Sequence, residues 1–226
     1  MRKLFLWFWL PVYRIWALHY IRREQRYRFE NLTLAVPPGV FHPGIFFSTP
    51  VFLQFLKNID FQRKKVLDIG AGSGVLALFA ARQGAEAAAL DINPLAVEAV
   101  RKNAAANGLH LQTCQSDLFD QLPVQTFDYL LINPPYYPRI PENDTERAFF
   151  AGENLEYFEK LFRQMPAYLH AKSLVWMVLS EDCDLEKIQA AARLFHFGLL
   201  PVFERKKWGE RLIVFEIRQQ GSPRIL

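Results

Sequence analysis

Val66-Leu67-Asp68-Ile69-Gly70-Ala71-Gly72-Ser73-Gly74 is an apolar run that ends in three alternate glycines. Such a run reads as a strand, and the pattern after the glycines reads as a helix, the first half of a parallel βαβ unit. Glycines at this turn permit positive φ and let a ligand approach the backbone with no Cβ in the way. The spacing G-x-G-x-G is one residue shorter than the G-x-G-x-x-G of dinucleotide sites, and Asp68 directly precedes the turn. A carboxylate here would repel a pyrophosphate, but it can order the turn or attract an amino group. Taken alone, the motif leaves open a tight turn that binds nothing.

The rest of the chain extends this alternation. Strands are predicted over Val66–Ile69, Ala87–Leu90, Leu111–Cys114, Tyr129–Ile132, Leu174–Leu179, Leu199–Phe203 and Leu212–Ile217. Helices are predicted over Gly74–Gln83, Pro94–Asn107, Leu155–Tyr168 and Leu185–Phe195, with Asn93 capping the second, Pro94 at its first position and Gly108 ending it. The short connection Glu204–Arg211 suggests an antiparallel hairpin at one edge. Upstream, Tyr27-Arg28-Phe29-Glu30 and Leu32-Thr33-Leu34 alternate before Pro37-Pro38-Gly39, as in a β-hairpin. The expected organisation is residues 1–49 as an aromatic and basic helix with a β-hairpin, and residues 50–226 as a doubly wound α/β domain.

Two acids follow the glycine turn. Asp91 comes one residue after the second strand and 23 positions after Asp68, close to the offset of about 20 at which an acid meets ribose hydroxyls. As a plain helix cap it would be redundant, since Asn93 is better placed. Ser116-Asp117-Leu118 follows the third strand, where an acid can accept from an adenine amine. An Asp after a strand is also common in any loop.

Asn133-Pro134-Pro135-Tyr136 closes the fourth strand. Consecutive prolines stiffen a turn and strip it of backbone donors, leaving carbonyl acceptors. An Asn side-chain oxygen and a proline carbonyl can together receive both hydrogens of an NH2 group, and Tyr136 offers a face for a flat group to stack on. The nitrogen of an amide or a base amine is a poor nucleophile, so fixing its two N–H bonds aims the lone pair. Positioning of this kind contributes roughly 7–11 kcal/mol to a bimolecular transfer.

Asp68–Gly74 (DIGAGSG), Asp91 and Asn133–Tyr136 (NPPY), in this order and spacing, resemble the small-domain class I methyltransferases. That group includes the release-factor glutamine methyltransferases and enzymes that methylate guanine or adenine amines in RNA. The resemblance covers about Asn31 to Arg218. Ala148–Leu155 (AFFAGENL) and Trp208-Gly209-Glu210-Arg211 are similar to the glutamine enzymes. Of Phe41–Thr49, only Pro43 and Thr49 fit those enzymes' signature, and Gly39-Val40-Phe41 is similar to the RNA guanine enzymes.

The resemblance implies a Rossmann-like seven-stranded sheet with helices on both faces and S-adenosylmethionine as cofactor. It places Thr49, Asp68, Gly70, Ala71, Gly72, Asp91, Ile92, Asp117, Leu118 and Asn133 at the cofactor. Asn133, Pro134, Pro135 and Tyr136 fall at the acceptor. The expected reaction is methyl transfer to a planar amide or exocyclic amine nitrogen on protein or RNA. A protein glutamine side chain is placed first and a guanine or adenine amine in rRNA or tRNA is the alternative. A non-catalytic binding protein on the same fold is a further rival, against which the intact NPPY argues.

Composition narrows the partners. A hydrophobic fraction of 51% suffices for one core, and Cys114 and Cys183 form no CxxC pair, so neither a zinc site nor a disulfide framework is expected. The five histidines show no ligand spacing, and no metal is expected. The net charge of +4 is concentrated in residues 1–28, where Arg2, Lys3, Arg14, Arg22, Arg23, Arg26 and Arg28 oppose Glu24 alone. A basic arm suits RNA, the ribosome or lipid headgroups. Leu4–Leu18 is apolar except for Arg14 and includes Trp7, Trp9 and Trp16, yet it is too short and too interrupted by Pro11 to span a bilayer. A cover over the domain, a membrane-surface helix and a substrate or dimer contact all stay open for it. A cytoplasmic location is expected, with peripheral membrane contact as the alternative.

Overall fold

A computed structural model describes residues 23–143, 146–207 and 209–219. The aromatic run Leu4–Leu18, the short helix expected there and Trp208 lie outside the described residues.

The chain enters through a hairpin, β1 (Gln25–Phe29) and β2 (Leu32–Val36), paired antiparallel from Gln25↔Val36 to Phe29↔Leu32. Alternation sends Leu32, Leu34 and Val36 inward, each at most 2% exposed. Next comes α1 (Ser48–Leu56), a helix that sequence periodicity does not disclose. Six of its nine residues are buried, so no polar face marks its period, and Phe47 at its N-terminus provides no side-chain cap.

The main sheet holds seven strands: β3 (Lys65–Ile69), β4 (Glu86–Asp91), β5 (Gln112–Gln115), β6 (Phe127–Ile132), β7 (Leu169–Ser180), β8 (Phe197–Lys207) and β9 (Glu210–Gln219). Their order is β5-β4-β3-β6-β7-β9-β8. The pairs from β5 to β7 are parallel, and β9 pairs antiparallel with both β7 and β8. The edge hairpin is therefore present, with longer arms than the predicted connection Glu204–Arg211 allowed. Glu204, Arg205, Lys206 and Lys207 pair with β9 although their side chains are polar and exposed, which hydrophobic alternation cannot reveal.

Helices α2 (Val75–Arg82) and α3 (Pro94–Ala106) join α1 on one face of the sheet; α4 (Glu156–Gln164) and α5 (Leu185–Leu194) cover the other. Central strands are thus buried on both faces: Val66 and Leu131 face α1 and α2, while Leu67, Ile69, Leu130 and Ile132 face α4 and α5. Asn93 caps α3 by accepting from Leu95 N–H at 2.9 Å, and Gly108 just beyond its end has φ 65°. No helix among the described residues is long and apolar enough to cross a membrane.

Two asparagines on α3 fasten the hairpin to the domain by completing its edge. Asn103, 2% exposed, accepts from Ala35 N–H at 2.8 Å and donates to Ala35 O at 2.9 Å and to Ser73 O at 3.0 Å. One turn on, Asn107 repeats the pattern with Thr33, accepting at 3.1 Å and donating at 2.8 Å. Each amide acts as one further rung of the sheet. Asn103→Ala removes the partner of a part-buried N–H, a part-buried carbonyl and a buried carbonyl, so a loss of about 2–4 kcal/mol is expected in urea unfolding. Asn107→Ala, with water able to replace the amide, should cost about 1 kcal/mol.

Candidate active site

Strand order reverses between β3 and β6, and the loops that leave their carboxyl ends part to open a crevice. A cavity of about 320 Å³ lies there. Thr49, Asp68, Gly70, Ala71, Gly72, Asp91, Ile92, Asp117, Leu118, Asn133, Pro134, Pro135 and Tyr136 all line it, although they come from five separate stretches of chain.

The glycine turn forms the floor. Gly70 and Ala71 donate to Leu90 O at 2.9 and 3.0 Å, tying the turn to the end of β4. Gly70 has φ 72°, and a Cβ built on it would meet no atom within 4 Å, so its surroundings are the open cavity itself. Gly74, at φ 85°, serves packing instead: a Cβ there would come within 2.9 Å of Val100 on α3.

The acids are fixed by backbone donors. Asp68, 1% exposed, accepts from Ala77 N–H at 3.1 Å in the first turn of α2. Burial pushes its carboxyl up to about 7; the Ala77 hydrogen bond opposes this and the charge of Asp91 adds to it. Asp91 accepts from Gly72 N–H at 2.8 Å through Oδ2 and from Asn93 N–H at 2.9 Å through Oδ1. These two bonds fix the carboxylate on the cavity wall beside the glycine turn. Asp117 lies across the cavity with its Oδ2 2.7 Å from Lys160 Nζ, and Leu118 beside it has φ 53°.

At the far end, Asn133 Nδ2 donates to Thr49 Oγ1 at 3.1 Å. This commits the amide nitrogen to α1 and leaves the carbonyl oxygen as the end able to receive an N–H. Thr49, expected at the cofactor, is thus the hydrogen-bond partner of Asn133. Tyr136 packs its ring against Tyr137 at 4.9 Å between centroids, and burial raises its phenol pKa further above the ordinary value of 10. A neutral, half-buried Tyr136 offers a stacking face and no base.

Part of the cavity lining is an aromatic cluster that the sequence motifs do not mark. Phe41 stacks on Phe46 at 5.0 Å, and Phe149 meets them at 5.9 and 5.3 Å. Phe41 hangs directly over the glycine turn, with its Cβ 3.5 Å from where a Cβ on Gly72 would lie. Asn93 Nδ2 donates to Gly39 O at 2.9 Å and holds the start of this loop. Tyr157 and Lys160 on α4 also line the cavity. The AFFAGENL run carried a hint of the Phe149 side; no pattern marked Lys160. Among the described residues no group of His, Cys, Asp and Glu could hold a metal.

The family model for the methyltransferase small domain matches residues 31–198. A Methanocaldococcus jannaschii protein, assigned as a protein N5-glutamine methyltransferase, is 32% identical over 146 residues, covering 62% of this chain and 74% of that one. Ribosomal RNA small subunit methyltransferase C of Chromohalobacter salexigens is 33% identical over 147 residues, 64% of this chain and 40% of its own. The T. thermophilus 16S rRNA N2 G1207 methyltransferase, solved with AdoMet and guanosine, superposes with TM-score 0.62 at 23% identity over 87% of this chain and 50% of that one. These matches make the chain an S-adenosylmethionine-dependent methyltransferase. More narrowly, the chain belongs to the methyltransferase small domain family.

The buried Asp68 has a consequence for stability. Its folded pKa of about 7 lies above the ordinary 3.8, so the folded state binds the extra proton between these values. Stability conferred by that proton is complete below about 4 and is lost as pH rises through about 7. Asp68→Asn keeps an oxygen for Ala77 and removes the titration. Its stability in urea, relative to wild type, should rise by about 1–3 kcal/mol between pH 4 and pH 8. A constant difference across that range would contradict burial as the source of the shift.

Proposed function

We propose that this protein transfers the methyl group of S-adenosylmethionine to the nitrogen of a planar NH2 group, with a protein glutamine side chain as the acceptor. The observation that supports this reading is the Asn133–Thr49 hydrogen bond, which occupies the amide nitrogen and leaves the oxygen as acceptor in a cavity lined also by two prolines and a tyrosine.

The cofactor fits the residues present. Asp91 would accept from the ribose hydroxyls, Asp117 from the adenine amine, and Asp68 would stand near the amino group, beneath a glycine backbone left bare for close approach. When bound, it supplies a methyl group already activated on a sulfonium. Asn133 Oδ1 and the Pro134 carbonyl would then hold the two acceptor hydrogens while Tyr136 covers the flat face. This hold aims the lone pair and favours the departure from planarity that the new N–C bond requires. The extra proton leaves to solvent afterwards, so no side-chain base is needed. We place the reaction in the cytoplasm, with residues 50–226 as the transferase domain and the arm within residues 1–49 as a contact to substrate, ribosome or membrane.

The M. jannaschii relative supports glutamine as the acceptor. A base amine in RNA is the second reading, favoured by the aromatic cluster of Phe41, Phe46 and Phe149 that lines the same cavity as Tyr136.

Incubation with cofactor radiolabelled on the methyl group and cell extract tests the assignment. Label released by protease supports glutamine, and label released by nuclease selects RNA. No transfer under either treatment contradicts the enzyme. With a substrate in hand, Asn133→Ala should bind cofactor normally and lose roughly 10²–10³ in kcat, as when one preorganised polar group is deleted from an active site. Thr49→Val, which unties the amide, should lose roughly tenfold in kcat, a little over 1 kcal/mol of positioning. Wild-type turnover by Asn133→Ala would make NPPY a structural turn.

A further inference from the structure

Lys160 belongs to no motif, yet it stands on the cavity wall with its ammonium 2.7 Å from Asp117 Oδ2 and 2.7 Å from Asp120 Oδ2. Its side chain is only 23% exposed. Asp120 is gripped in turn by Gln164, one turn further along α4, at 2.6 Å. The cation is therefore anchored from behind by a carboxylate off the cavity wall, and it presents its remaining contact to the one on it.

The loop backbone around Asp117 is already pinned. Asp117 N–H donates to Gln121 Oε1 at 3.1 Å, Gln121 N–H donates to Ser116 Oγ at 3.0 Å, and Leu118 is held at φ 53°. What remains free is the rotation of the Asp117 side chain, and Lys160 takes one of its two oxygens. Oδ1 is left for a ligand. Partial burial alone would lower the Lys160 pKa, but the hydrogen bonds with Asp117 and Asp120 raise it above the ordinary lysine value, so the clamp stays charged.

We propose that Lys160 is a positioning residue for the cofactor's base: it turns Asp117 so that Oδ1 accepts from the 6-amino group, and so sets the preference for adenine. This rests on Asp117 as the adenine acceptor, proposed above. A mere staple between the loop and α4 would leave base preference untouched, and that difference is measurable without turnover.

The experiment is calorimetric binding of S-adenosylhomocysteine and of its analogue carrying unsubstituted purine, which lacks the 6-amino group. The wild type should prefer the adenine compound by about tenfold or more, as expected for a hydrogen bond to a charged acceptor. Lys160→Met should reduce that preference to about threefold or less while binding the purine analogue nearly as the wild type does. Lys160→Arg, which keeps the charge and can still reach both carboxylates, should restore most of it. Asp120→Asn, which loosens the anchor and leaves the Asp117 contact, should keep it. If Lys160→Met fails to fold by circular dichroism, Lys160→Gln carries the same expectation. Asp117→Ala separates the two claims: full preference in that variant would refute Asp117 as the adenine acceptor. Loss of preference in Asp117→Ala, with full preference in Lys160→Met, would reduce Lys160 to a staple and overturn the inference.

Discussion

β3 is hydrogen-bonded in parallel to β4 on one side and to β6 on the other, and the chain must leave β3 and β6 toward opposite faces of the sheet. After β3 it turns into α2 on one face; after β6 it runs through NPPY toward α4 on the other. Neither loop can close over the gap between them. The crevice thus follows from strand order and right-handed crossovers, before any side chain is considered. Everything proposed for the site depends on this parting, because it brings a glycine turn and an acceptor turn, separated by some sixty residues, to the two ends of one cavity.

Around that gap the protein relies on side chains that finish backbone ladders. Asp91 receives amides from the glycine turn and from the start of α3, Asp68 receives one from α2, and Asn103 completes the edge of β2 while holding Ser73. The glycine turn is in this way fixed from three directions before a ligand arrives. Rigidity matters here because positioning loses its effect when reacting atoms are misplaced by even 1 Å. The cost is a buried acid with a raised pKa, a perturbation typical of functional sites.

Much of this was legible in the sequence. Glycine spacing, the Asp91 offset and NPPY carry their own local geometry, and the residues they mark line the cavity except Gly74, which packs against Val100. The sheet followed from strand–helix alternation, and Asn93 capped its helix as its position next to Pro94 required. What stayed hidden lacked a local signature. Helix α1 is buried over most of its surface and has no polar stripe, so it gave no period, and with it went the role of Thr49 as the partner of Asn133. The aromatic wall unites Phe41 and Phe46 with Phe149 across a hundred residues, and Lys160 gains its meaning only from two acids some forty residues upstream. Contacts of that range are products of packing, and a one-dimensional pattern does not contain them.

The central claim is that the crevice between β3 and β6 holds an adenosine-bearing methyl donor on Asp91 and the glycine turn. Isothermal calorimetry with S-adenosylmethionine, S-adenosylhomocysteine and NAD, on the wild type and on Asp91→Ala, tests it most directly. The wild type should bind one equivalent of either sulfur compound and no NAD. Asp91→Ala should weaken that binding by about 2–3 kcal/mol, because it removes the ribose acceptor together with the support of Gly72. Tight binding of NAD with none of the sulfur compounds, or unchanged affinity in Asp91→Ala, would contradict the account.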